Sequence, residues 1–139
     1  LLAHFTPRHY PAGAIIFREG QVVHQVFVVA AGNVALEMEV PARGRQRLLS
    51  LGPGDLLGWS PLVAKGGMTA TATALADTEL WVANVDSIEQ LCASDPAIGY
   101  AWMQSVAAAL AQRLLATRLQ LLDLFQQDAT MSDRLMAAP

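Results

Sequence analysis

Two hydrophobic periods divide this chain. Up to about Val85, apolar residues alternate with polar ones or gather in short blocks, with turn signals every eight to twelve residues. That spacing predicts an all-β sandwich or barrel. From Asp86 onward glycine and proline are nearly absent, and apolar positions return at steps of three and four. That period predicts helix.

In the first part, Ala14-Ile15-Ile16-Phe17 predicts a strand ended by Gly20. Gln25-Val26-Phe27-Val28-Val29 is a near-continuous apolar run, the pattern of a strand covered on both faces. Gly32-Asn33 supplies the next turn, because both residues tolerate positive φ. Val34, Leu36, Met38 and Val40 then alternate with Ala35, Glu37 and Glu39, so the even positions are expected in the core. After Pro41-Ala42-Arg43-Gly44 the chain returns as Arg45 to Leu51. A hairpin here sets Glu39 opposite Arg45 and Glu37 opposite Arg47. Such cross-strand pairs contribute about 0.2–1 kcal/mol each and favour that register. Arg43, Arg45 and Arg47 therefore read as a solvated hairpin rather than a nucleic-acid patch. Thr69 to Thr73, alternating threonine with alanine, and Glu79 to Ala83 predict further strands.

In the second part, Asp86 or Ser87, with Glu89 or Gln90 three residues on, forms a capping box for a short helix. Asp95-Pro96 marks a second helix start. Nothing breaks this helix before about Gln127, so it makes a rod of about 45 Å. Met103, Ala107, Leu110, Leu114, Thr117, Leu121 and Leu124 follow the four-three spacing of a coiled-coil seam. Trp102, Val106, Leu115, Leu119 and Leu122 form a second stripe on another side. One stripe is expected to cover the β part. The seam is expected to pair with the same helix of a second copy, because the chain offers no other helix to bury it and two-fold pairing is the commonest assembly. Arg113 and Arg118 are expected at the rim of the seam, near Asp123 or Gln120.

A length of 139 residues fits one domain. With 53% apolar and only 15% charged residues, some apolar surface should be covered by a partner. A net charge of −3 gives no general attraction to nucleic acid. No apolar run approaches the ~18–20 residues needed to cross a bilayer, so no membrane contact is expected. The single cysteine, Cys92, excludes an internal disulfide and favours a reduced, cytoplasmic setting. The chain opens at Leu1 without a methionine or a visible signal sequence.

Candidate reactive groups are sparse. His4, His9 and His24 lie near the start with no His-x-His pair. His9 with Glu19 or His24 is the best available metal set, and solvated histidines are the plainer reading. Cys92 has no histidine nearby in sequence and reads as a buried, inert thiol. No P-loop, nucleophile elbow or deaminase motif occurs, so neither enzymatic activity nor catalytic residues are expected.

The most informative stretch is Gly52-Pro53-Gly54-Asp55-Leu56-Leu57-Gly58-Trp59, followed by Gly66-Gly67-Met68-Thr69-Ala70. Before it come Pro11-Ala12-Gly13-Ala14-Ile15-Ile16-Phe17-Arg18-Glu19-Gly20, Val26-Phe27-Val28-Val29 and Gly32-Asn33-Val34-Ala35-Leu36. After it comes Ala74-Leu75-Ala76-Asp77-Thr78-Glu79-Leu80. In this order the set resembles the sensor domain of the bacterial catabolite gene activator (Crp/Fnr) family of cyclic-nucleotide-binding domains, over about Tyr10 to Phe125. The resemblance implies a mainly β fold with added helices. It would be a jelly-roll-like β-roll (a double-stranded β-helix), then a short helix and one long C-terminal dimerisation helix, with a ligand cavity between roll and rod. The expected layout is one domain over 1–139, with the roll at about 10–85, helices at 86–127 and a tail at 128–139. The family's winged helix-turn-helix is not expected. Gln126 to Pro139 are too few for it, so this chain is not expected to bind DNA directly.

In that family a Glu after the third glycine holds the ribose, and an Arg followed by Ser or Thr holds the cyclic phosphate. Here Trp59 and Met68 stand at the Glu and Arg positions, and only Thr69 keeps its type. Charge-assisted hydrogen bonds contribute about 1.5–3 kcal/mol each. Losing both contacts removes about 3–6 kcal/mol, or about two to four decades of affinity. Cyclic AMP and cyclic GMP are thus expected to bind weakly or not at all. The candidate pocket comprises Leu57, Gly58, Trp59, Ser60, Gly67, Met68, Thr69 and Ala70. Lys65 replaces the lost charge only if its loop folds inward. Trp59 fits two roles equally, a plug or a stacking platform. An arginine reaching the niche from elsewhere in the chain would overturn the expectation of a niche stripped of its anion clamp. Three functions fit these residues. The first is a homodimeric sensor without a resident cofactor, in which a cyclic nucleotide or another small effector shifts the long helix. The second is a ligand-free dimerisation or interaction module. The third is the effector domain of a transcription regulator separated from its DNA-binding part.

Overall fold

Strands with a continuous apolar run need cover on two sides, and the architecture supplies both. A computed structural model of the chain describes residues 2–58 and 67–137. After a 3-10 turn at Leu2–His4, the described strands are β1 (Thr6–Tyr10), β2 (Ile15–Phe17), β3 (Gln25–Ala31), β4 (Val34–Val40), β5 (Gly44–Leu51), β6 (Leu56–Leu57), β7 (Thr71–Ala74) and β8 (Thr78–Asn84). Two helices follow, α1 (Val85–Ser94) and α2 (Pro96–Ala137). The strands pair antiparallel in two four-stranded sheets, ordered β1-β8-β3-β6 and β2-β7-β4-β5, which close into a β-roll.

Side-chain alternation sorts each inner strand between two cores. Phe27 and Val29 of β3, Leu57 of β6 and Leu80 and Val82 of β8 meet Phe17, Val34, Leu36 and Leu51 of the other sheet. Their neighbours Val26, Leu56 and Ala83 point the opposite way. There they meet Phe5, Val85, Ile88, Trp102 and Val106. The second core is what docks both helices on the roll.

The β4–β5 hairpin has the register read from its charges, with Glu37 opposite Arg47 and Glu39 opposite Arg45. Arg43 departs from the solvated-hairpin reading. It forms an ion pair with Asp128 and donates to Gln127 at 3.2 Å, tying the hairpin tip to α2. Two strands were missed by sequence reading. Four of the five β1 residues are exposed and one is Pro7, so the strand has no alternation. Proline is tolerated there because β1 is an edge strand paired only with β8. The other, β6, is two residues long.

Both helices differ from expectation at one end. The α1 cap is Asn84, not Asp86 or Ser87. Its side-chain oxygen accepts from the Asp86 N–H at 2.8 Å. Helix begins this early because Val85, directly after β8, is already drawn into the second core. Asp95 does cap α2, accepting from the Ile98 N–H at 3.4 Å. This helix continues past Gln127 to Ala137, so most of the segment expected as a tail is helical. No glycine or proline interrupts it there.

Candidate functional site

The segment leading into β7 alternates like a strand. Met68 and Ala70 turn inward and are 3% and 0% exposed. They pack in the inter-sheet core with Leu57, Phe27 and Phe17. Thr69 lies between them on the exposed side. At Gly58 the chain leaves β6 with φ of 76°. A Cβ there would stand 2.8 Å from a ring carbon of Phe27. Only glycine meets both demands, the left-handed backbone and the closeness of the ring. Trp59 and Ser60 of the candidate pocket, with Lys65 and Gly66, lie outside the described residues. Of the residues read from the sequence, Leu57, Met68 and Ala70 share one apolar cluster beside Gly58. Met68, read from the sequence as standing at the arginine position of the resembled family, is a core side chain.

Sequence reasoning missed the partner of this segment, the turn from Arg18 to Gln21. The Gly20 N–H donates to the Met68 carbonyl at 2.7 Å, and the Met68 N–H donates to the Gln21 carbonyl at 2.8 Å. Gly67 lies against the Gly20 backbone so closely that a Cβ would fall 2.3 Å from the Gly20 oxygen. The turn is pinned at its other residues too. The Arg18 N–H donates to Gln21 Oε1 at 2.9 Å, and the Glu19 N–H donates to Thr71 Oγ1 at 2.9 Å. Glu19 Oε1 accepts from the Glu39 N–H at 3.0 Å. The only sequence signal for this contact was the pair of glycines, whose close approach needs the fold to be seen.

The long helix meets the roll along a stripe different from either one read in the sequence. Trp102 and Val106 are buried, and Ala109, Arg113, Ala116 and Leu124 are half-buried. These positions recur at the helical period on one face, against β5 and β6. Leu115, Leu119 and Leu122 do not share this contact and are each more than half exposed. Arg113 thus faces the roll, not the rim of the seam. Burial pushes its pKa down from the usual arginine value, and the negative charge of Glu19 pushes it back up. Its guanidinium stays charged. The charge of Glu19, in the turn that the cassette is bonded to, thus acts on an arginine of the long helix.

The proposed seam is open in the single chain. Met103, Leu110, Leu114 and Leu121 are 37–59% exposed, Ala107 and Thr117 are exposed, and Leu124 is half-buried. Cys92 is half-buried on α1 beside the second core. Among the described residues no three His, Cys, Asp or Glu side chains gather as a metal site, and no helix is long and apolar enough to cross a membrane.

Comparison with known proteins bears on these features. A family model described as "Cyclic nucleotide-binding domain" matches residues 7–95. The cyclic AMP receptor protein of Thermus thermophilus is 35% identical over 121 residues, covering 86% of this chain and 54% of that protein. A CRP-like cAMP-activated global transcriptional regulator of Mycobacterium tuberculosis is 27% identical over 129 residues, 92% of this chain and 55% of the relative. The crystal structure of the Thermus thermophilus catabolite activator protein superposes with a TM-score of 0.73 at 34% identity. That match covers 90% of this chain and 56% of the solved one. The chain spans about half the length of the curated relatives it matches.

Proposed function

We propose a role from the fact that this chain belongs to the cyclic nucleotide-binding domain family, with homologues among the Crp/Fnr regulators. Those homologues are regulators and binding domains, not enzymes. The role is that of a ligand-sensing regulatory module in the cytoplasm. It pairs with a second copy through the long helix and passes a change in the niche to an output partner or a fused output segment. One observation carries this reading. The segment before β7 is hydrogen-bonded to the Arg18–Gln21 turn, and the charge of Glu19 in that turn acts on Arg113 of α2. A change at the cassette thereby reaches the helix whose leucine seam lies exposed. The cyclic nucleotides named for the relatives are expected to bind this chain weakly, because Met68 and Trp59 supply none of the charge-assisted contacts. Titration calorimetry checks this, and a low-micromolar dissociation constant for cyclic AMP would refute it. A thermal-shift screen of nucleotides and metabolites tests sensing itself. An effector specific for the folded state must raise the melting temperature above its dissociation constant.

The depth of Met68 in the core favours a second reading, a dimerisation or interaction module without a ligand. A screen with no stabilising compound, together with a dimeric mass in sedimentation, selects that reading over the first.

A further inference from the structure

The seam of the long helix runs further than Leu124. Its four-three spacing continues through Asp128, Met131 and Leu135, and α2 is helical through all three. Met131 and Leu135 are 64% and 73% exposed, like the leucines before them. Asp128 is the one charged residue among the ten seam positions from Met103 to Leu135. Any helix laid on the seam would bury its carboxylate, a costly state without a partner.

The roll supplies that partner. Arg43, at the tip of the β4–β5 hairpin, forms an ion pair with Asp128, and its other guanidinium nitrogen donates to Gln127 at 3.2 Å. The tip is itself fixed. The Arg43 N–H donates to the Val40 carbonyl at 2.9 Å, and Gln46 Nε2 donates to the Arg43 carbonyl at 3.0 Å. Gln127 Nε2 donates in turn to Asp123 Oδ2 at 3.4 Å. The Asp128 side chain nevertheless stays 62% exposed, and that of Arg43 32%. An ion pair this open adds little to the stability of one chain.

We propose that the Arg43–Asp128 pair is the polar layer of the interface between two copies of this chain, and that it fixes their parallel, in-register pairing. The proposal rests on the dimer reading above and deepens it. Side by side in register, the two Asp128 carboxylates come together across the two-fold axis, and each brings its own arginine. Four alternating charges then stand where two like charges would repel. Turned antiparallel over the same ten positions, each Asp128 faces Leu110 instead, and a charge is buried against an apolar side chain. A single polar position in an apolar seam selects register in this way. The hairpin tip thereby becomes part of the interface.

Sedimentation equilibrium of wild type, Arg43→Gln, Asp128→Asn and the double variant tests this. Arg43→Gln leaves two carboxylates facing each other. The dimer dissociation constant should rise about tenfold or more, the scale of a lost charge-assisted contact. Adding Asp128→Asn should recover most of that loss, because the repulsion goes with the charge. A tie that serves only the single chain leaves the dissociation constant of Arg43→Gln unmoved, and that result would overturn the proposal. So would a loss that Asp128→Asn does not rescue. Register is read with Met131→Cys on a Cys92→Ser background. Parallel pairing brings the two thiols together as a disulfide, whereas antiparallel pairing holds them roughly 36 Å apart, beyond the reach of one. A dimer without that cross-link refutes the parallel layer. Far-ultraviolet circular dichroism checks that every variant keeps its helix. A wild type that stays monomeric at all concentrations sinks the leucine seam as well, while a dimer indifferent to Arg43→Gln sinks this proposal alone.

Discussion

Gly67→Ala puts the contact between cassette and turn to a direct test. The added Cβ would lie 2.3 Å from the Gly20 oxygen, 2.6 Å from its carbonyl carbon and 2.9 Å from its Cα. All three are backbone atoms, so no side chain can swing aside. Relief requires the Arg18–Gln21 turn to back away by roughly 1 Å to reach ordinary contact. That movement stretches the two hydrogen bonds between Met68 and the turn, now 2.7 and 2.8 Å. Overpacking costs about 1–3 kcal/mol, and each weakened bond costs about 0.5–1.5 kcal/mol. The expected loss is about 2–6 kcal/mol in all. For a domain of this size it corresponds to a fall in melting temperature of about 6–20 °C. Gly52→Ala is the control. A Cβ at Gly52 meets nothing within 4 Å, and the backbone there is not left-handed. Its effect should stay within about 0.5 kcal/mol. The assay is thermal and urea unfolding of the two variants beside wild type. Equal stability of Gly67→Ala and Gly52→Ala would refute the packing of the cassette on the turn, and with it the route from cassette to α2.

Three further outcomes are expected. Leu114→Glu combined with Leu121→Glu should convert the proposed dimer to a monomer in sedimentation while leaving the far-ultraviolet circular dichroism per residue unchanged; an unaltered mass would dismiss the seam. Trp102 is 4% exposed, packs tilted against Phe5 with ring centroids 6.1 Å apart and has a buried indole N–H without a partner among the described residues. Trp102→Ala should therefore cost about 3–5 kcal/mol, whereas Trp102→Phe should cost about 1 kcal/mol or less, because it also removes the unpaired donor; equal losses in urea unfolding would contradict this. Ala42 adopts φ of 66° in the exposed β4–β5 turn. Ala42→Gly should raise stability by about 0.5–1 kcal/mol, and a lower melting temperature would argue against that turn conformation.

The strands and helices of this protein are legible in its sequence because local chemistry sets their period. Val26 to Val29 need cover on both faces wherever they lie, and Glu37, Glu39, Arg45 and Arg47 match only in one hairpin register. Asp95-Pro96 starts a helix from local hydrogen bonding alone. That Trp59 and Met68 carry no charge at the cassette spacing is likewise a matter of residue type alone. The partnerships across the chain could not be read there. Gly67 meets Gly20, and the charge of Glu19 acts on Arg113, over separations of 47 and 94 residues that carry no local signal. Helical periodicity placed Arg113 beside a leucine seam, since a period fixes which residues share a face but not what that face meets. Docking of Trp102 and Val106 into the second core set the rotation of the helix, and that rotation turned Arg113 toward the roll.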